Sequence, residues 1–488
     1  AGRLITSGVR NTLIGGLAGD ALTAGGNNVA IGYNALGAED AHGRNVAVGA
    51  FALQAQDAGA DAYNVAMGYN AGLNVSTGVE NTIVGGATGD ALTTGSSNVA
   101  IGTYALGAED TGGRNVAVGR GTLSAQNYDG NAYNVAIGFD AGNDVSTGVQ
   151  NTIVGGQAAD ALTTGSYNVA IGYAALSAED AHGKNTAIGR EALKVQDAGA
   201  DAYNVAVGFQ AGKAVSTGTE NVIIGSNAGD ALTTGSYNVA VGMHALGSED
   251  AYGRCVAIGQ EALRNQDAGA DAYNVAIGFV AGTNVSTGIK NTLIGGYTGD
   301  ALTTGNYNVA MGYGALGAED TGSNSIAIGV SALAAQDAGG INVHNVAVGH
   351  NAGLSVSTGT ANTLIGGLAG DALTAGANNV AIGYQALSAE DDHGKNTAIG
   401  YHTLSSLDAG ADAYNTAVGY EAGKLVSTGI NNVLIGGLAG DSLTAGSYNT
   451  VLGYQALATE DTHGKNTAIG YKTLMAQDAG ADAYNVAV

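Results

Sequence analysis

The loop QDAGADAY sets two carboxylates four residues apart, Asp57 and Asp61, among glycine-flanked carbonyls. The pair recurs as Asp197 and Asp201, Asp267 and Asp271, Asp408 and Asp412, and Asp478 and Asp482. Oxygen-only ligands in a flexible loop are what calcium takes. Two things weigh against that chemistry. At the same place the second and fifth loops read QNYDGNAY and QDAGGINVH. The glycine-rich nonapeptide of calcium-binding β-rolls is also missing. Solvated acidic loops are the expected reading, with calcium the weaker alternative.

Histidine offers less. His42, His182, His393 and His463 hold equivalent places in loops of the type AEDAHG, 70 or more residues apart. In a stacked fold that spacing is ~19 Å, too far for one shared metal, so these residues read as loop decoration together with His244, His344, His350 and His402. Every Ser and Thr of TTG or STG is itself a repeat feature, and no nucleophile, base and orienting group come together in the pattern. The same threonines could form a flat ice-binding array, but they fall on only two of every four coils, and such a surface needs contiguity. No catalytic, cofactor-binding or firm metal residue emerges, and an enzyme is not expected.

The elements that would carry such loops follow from one repeated phrase. Asn-x-x-x-Gly frames begin at 11, 28, 45, 64 and 81, with spacings of 17, 17, 19 and 17, and the set of four returns every 70 residues. One step is 71 because QDAGGINVHN carries an extra residue. There are 28 frames, with Asn in first place in all but Cys255 and Ser325. Second and fourth places are β-branched or aliphatic, as in Val29 and Ile31, which is the period of a strand. A coil of 17 Gly-rich residues cannot hold a helix pair. The reading is an all-β, parallel β-solenoid (β-roll) of about 28 coils of 17–20 residues. Each coil is expected to hold a strand, a Gly corner, a second short strand (ALGAE, DALTT, GLNVS) and a return loop. Stacked Asn side chains would hydrogen-bond one another, and the Gly would mark a positive φ or a place with no room for Cβ.

Residues 1–488 read as one continuous array of seven super-repeats: 11–80, 81–150, 151–220, 221–290, 291–361, 362–431 and 432–488. No linker, cap or anchor interrupts them. A net charge of −25 argues against nucleic acid as a partner, and no apolar run is long enough for direct membrane insertion. Proline is absent, as a ladder that uses every backbone N–H requires, and Cys255 alone makes no intrachain disulfide. The third place of the frame is Ala, Leu, Ile or Val throughout (Leu13, Ala30, Ala47, Ala66 and onward), so both faces of the strand are apolar. One face is expected to pack within the coil, and the Ala face against another copy of the chain.

NVAIGYNALGAED and NVAVG resemble the head repeats of trimeric autotransporter adhesins, the YadA-like heads. NTLIGGLAGDALTTGSY is similar to the NTAIGYQAL-type repeats of bacterial surface fibres and phage tail fibres. The resemblance implies a β-roll that assembles as a homo-oligomer, a trimer favoured. It implies an extracellular or cell-surface structural and adhesive fibre, meeting a host or neighbouring cell surface, or alternatively a virion tail-fibre shaft. The coils here are longer than the family's, and its stalk, anchor barrel and chaperone domain are not seen. Ala1 and Val488 fall three residues short of closing a whole number of super-repeats in register, so the chain is expected to be a window on, or a stackable unit of, a longer fibre.

Two outcomes are expected. Far-UV spectra should have negligible helix, and 28 coils at ~4.8 Å each should give a length of about 130 Å in solution scattering. Chelating calcium should leave the melting temperature nearly unchanged; a fall of tens of degrees would make the paired aspartates ligands.

Overall fold

A computed structural model describes residues 1–488, which divide into two compact units, Ala1–Met243 and His244–Val488. Each is a parallel β-solenoid without helix. The first holds fourteen strands, from β1 (Thr12–Ile14) and β2 (Val29–Ile31) to β14 (Val239–Val241). The second runs from β15 (Val256–Ile258) to β28 (Val486–Ala487). Every strand but the last is three residues long and pairs with its successor in the same unit at matching frame positions, as Ala30 faces Ala47 and Ala276 faces Leu293.

The expected second strand does not form. Its place is taken by a turn segment in which residues two apart adopt left-handed φ, such as Asn34 (56°) and Leu36 (50°), then Phe51 (62°) and Leu53 (48°). Such a backbone cannot be a strand. Stacking still satisfies it: Asn34 N–H donates to Gly16 carbonyl at 2.9 Å, and Leu36 N–H to Ala52 carbonyl at 2.9 Å. These bonds offset a left-handed cost of about 1 kcal/mol or more per non-glycine residue.

The interior reverses the expected facing of the strand. Third-place residues such as Ala30, Ala47 and Ala66 are fully buried inside the chain itself, packed on turn-segment residues including Leu36, Leu53 and Leu92. Leucines reach across from the turn segment to the alanines, while in the first coil of each later super-repeat a larger residue such as Ile83, Ile153 or Leu293 fills the third place, also fully buried. Second- and fourth-place residues face outward and are half-buried or exposed; Ile101 is 37% and Met67 47% exposed. The Ala face is therefore not a subunit interface.

Asparagine and glycine fix the stack. Asn28 Oδ1 accepts the N–H of Asn45 at 3.0 Å, Asn45 Oδ1 that of Asn64 at 3.1 Å, and Asn64 Oδ1 that of Asn81 at 2.8 Å. The amide Nδ2 mostly turns back within its own coil, as from Asn81 to Gly95 carbonyl at 2.9 Å. The expected side-chain-to-side-chain bond occurs at Asn221 to Asn204 (3.2 Å) and Asn449 to Asn432 (3.1 Å). The rail is thus chiefly side chain to backbone. At Gly172 both glycine arguments hold together: φ is +135°, and an added Cβ would lie 2.4 Å from Gly189 carbonyl oxygen.

Replacing Asn168, which accepts from Asn185 N–H at 3.0 Å, with Leu should cost about 1–3 kcal/mol, because a buried donor loses its acceptor. Asn168→Ser should cost less, since Ser325 already occupies a frame of this kind. Gly172→Ala should be the most damaging of the three. Thermal denaturation ranks them; equal melting points would refute the rail.

Candidate functional site

The polar chemistry of each unit gathers where the return loops of successive coils stack. In the stretch ALGAEDAHGR, Glu39 is fully buried although its neighbour Asp40 is exposed. Glu109, Glu179, Glu249, Glu319, Glu390 and Glu460 are buried in the same way, each beside an exposed or half-buried aspartate. The reason is local: one carboxylate oxygen accepts the N–H three residues on, closing the loop, at 3.0 Å for His42, 2.7 Å for Gly112 and 2.5 Å for Gly322. A carboxylate inside the wall is costly in its charged form. Burial pushes Glu39, Glu109, Glu179, Glu249 and Glu390 up to about 7, against the loop N–H bond that lowers them. Nearby carboxylates raise several further, Asp57 at Glu39 and Asp267 at Glu249 among them.

A glutamine on the next coil completes the interior. Gln56 Nε2 donates to Ser76 carbonyl at 3.0 Å, and its Oε1 accepts from Asn64 Nδ2 at 2.6 Å. At Gln336 the amide instead donates to Glu319 Oε2 at 2.8 Å, and at Gln477 to Glu460 Oε2 at 3.1 Å.

The aspartate pairs singled out in the sequence are given different partners. Asp57, Asp197, Asp267 and Asp408 stand beside Glu39, Glu179, Glu249 and Glu390 of the preceding coil. Asp478 is exposed. The second members are tied to cations: Asp61 to Arg44 at 3.2 Å, Asp201 to Lys184 at 2.7 Å, Asp271 to Arg254 at 3.0 Å, Asp412 to Lys395 at 2.6 Å and Asp482 to Lys465 at 2.7 Å. Each cation also lies over a tyrosine ring of the next coil, as Lys184 does on Tyr203 at 5.0 Å. These side chains are well exposed, so each pair adds little to stability. Lys184 holds Asp201 below the usual carboxylate range.

Four histidines, His42, His182, His393 and His463, are half-buried over the buried glutamates, with Nδ1 3.6–4.0 Å from Oε1. They are more than decoration. His402 instead stacks on Tyr401, ring centres 4.3 Å apart. The buried glutamate was the residue that sequence reasoning passed over. Its signal was constancy: Glu-Asp recurs in all seven super-repeats while the two residues after it vary.

Cys255, in place of a rail asparagine, is buried; burial pushes its thiol up to about 12, and Asn274 N–H points at its sulfur. It is a packed thiol and not a nucleophile.

The raised carboxyls give a signed prediction. Between about pH 4.5 and 7 the folded chain keeps a proton that the unfolded chain has released, so this contribution is full below 4.5 and lost as pH rises through 7. Melting temperature should therefore fall from pH 5 to pH 8 in chelator, and Glu109→Gln with Glu249→Gln should flatten that slope. An unchanged slope would mean that these carboxylates are ionised in the wall.

No protein-family model and no curated protein matches this chain, so its functional reading rests on the geometry of the coils.

Proposed function

We propose that this chain is the structural shaft of an extracellular fibre, assembled from several copies and displaying its repeated loops many times over, and that it is not a catalyst. The observation that carries the reading is the one-coil-at-a-time stacking within each unit, where backbone, Asn rail and glycine corner all require the next coil to be the same shape. Such a solid wall serves stiffness and spacing. The likeness to YadA-like head repeats and to surface and tail-fibre arrays supports the same use. Multivalent display lets weak contacts to a cell surface add up.

The outward side of the sheet supports assembly between copies. Val and Ile of the strands are flanked by tyrosines just before them (Tyr63 50%, Tyr133 46%, Tyr203 52% exposed) and aromatics just after (Tyr69 62%, Phe139 52%, Phe209 44%). Aromatic rings also pair from coil to coil, with centres 5.4 Å apart at Tyr33 and Phe51. The outward aliphatic at fourth place recurs on every coil and the flanking aromatics on part of them, a strip that a second copy can cover in register. Trimeric closure is the arrangement the family likeness favours.

The test is sedimentation of the wild-type chain against two variants. The wild type should run as a homo-oligomer, with rods visible by electron microscopy. Met67→Lys, Ile101→Lys and Ile137→Lys together should give a folded monomer, because these positions face outward. Ala100→Glu should unfold the unit, because it buries an unpaired charge inside the chain. A wild-type monomer, or a triple variant that sediments as wild type, would rule out this face as the interface.

A further inference from the structure

The seven return loops do not satisfy their buried carboxylates alike. At Glu39, Glu179 and Glu390 one oxygen accepts the N–H of His42, His182 and His393, at 3.0, 3.1 and 3.3 Å. The second oxygen, Oε2, has no hydrogen-bond donor, although the side chain is fully buried. Nδ1 of the same three histidines is likewise buried and unpartnered, 4.0, 3.8 and 3.8 Å from Oε1. The other loops differ. Glu460 Oε2 accepts from Gln477, and His463 Nδ1 meets the Thr462 hydroxyl at 3.1 Å. Where Gly replaces His, Glu319 Oε2 accepts from Gln336 and Glu109 Oε2 faces Tyr128 N–H at 3.5 Å. Glu249 Oε2 is also unpartnered, but Tyr252 stands where the others have His, so that loop lacks a nitrogen ligand.

We infer that the loops Glu39–His42, Glu179–His182 and Glu390–His393 each bind one divalent transition-metal ion of the zinc class. The ligands are Glu Oε2, His Nδ1 and the aspartate between them, Asp40, Asp180 or Asp391; in the middle loop Asp197 of the next coil is a fourth. In each loop one oxygen of each carboxylate and one imidazole nitrogen already lie within 4.8 Å of one another. Four ligands around zinc at ~2.1 Å stand ~3.4 Å apart, so closing the site takes about 1 Å of side-chain rotation. The imidazole and the first aspartate have room to turn, since His182 keeps 31% of its side chain exposed. An ion there would supply what both buried acceptors lack. One imidazole among few carboxylates favours zinc, nickel or cobalt over calcium, which takes six to eight oxygens.

The experiment uses the full chain stripped with a chelator. Titrated calorimetrically with zinc chloride, it should bind about three ions per chain saturably, and cobalt(II) should develop visible d–d bands from nitrogen and oxygen ligation. His42→Ala, His182→Ala and His393→Ala together should weaken zinc binding by at least about tenfold and remove the cobalt bands, with the chelated melting temperature unchanged. Three results would overturn the assignment. They are no saturable zinc binding by the wild type, no cobalt bands in the wild type, or calcium binding as tight as zinc. The wild-type measurements decide the matter even should the triple variant fail to fold.

Discussion

Each coil lends one side-chain oxygen to the backbone of the coil that follows, and the rest of the structure depends on that loan being repeated in register. Asn28 serves Asn45, Asn45 serves Asn64, and Asn64 serves Asn81, all inside the wall where an unmade bond costs the full desolvation of an amide. A coil of the wrong length would carry its asparagine past the waiting N–H. Loop insertions such as QDAGGINVHN are tolerated because they lengthen the return path and leave the frame from Asn to Gly untouched. Glycine enforces the same register from the opposite side, by allowing carbonyls to approach where any Cβ would stand.

The interior that results is unusual in being about one-third polar by residue. Small alanines and turn-segment leucines fill one part, while asparagine, glutamine and glutamate occupy the rest, each needing a partner on its own or an adjacent coil. A buried network of this kind specifies one alignment more sharply than an all-aliphatic core, in which neighbouring coils could slide. Its weak members are the glutamates, whose second oxygen finds a donor in some loops and none in others.

Much of this was legible in the chain itself. The frame from Asn11 to Gly15 and its successors announced the period, the parallel stack and the two uses of glycine, because those rest on residue type alone. Two features were not. With Val29, Ala30 and Ile31 all apolar, nothing local says which side of the strand is inside; the answer lies in Leu36 and Leu53 reaching back across the coil, a contact of tertiary origin. Nor does leucine advertise left-handed backbone, so the segment around Leu36 read as a strand until inter-coil hydrogen bonds were seen to hold it in another shape. At the return loops the aspartate pairs drew the eye because they were conspicuous, whereas Glu39 was hidden by its own regularity. Residues that never vary within a repeat carry more about the interior than those that stand out.

The asparagine rail has a direction. The oxygen belongs to the earlier coil and the N–H to the later one, as in Asn11 serving Asn28 in the first unit and Asn466 serving Asn485 in the second. A finished coil therefore presents acceptors on its C-terminal side, ready for a segment that does not yet exist. During synthesis on a ribosome, each newly emerged coil meets a completed template and has only its own ~17 residues to order, so the long search that parallel sheets normally impose on folding is divided into short local steps taken in the sequence in which the chain is made.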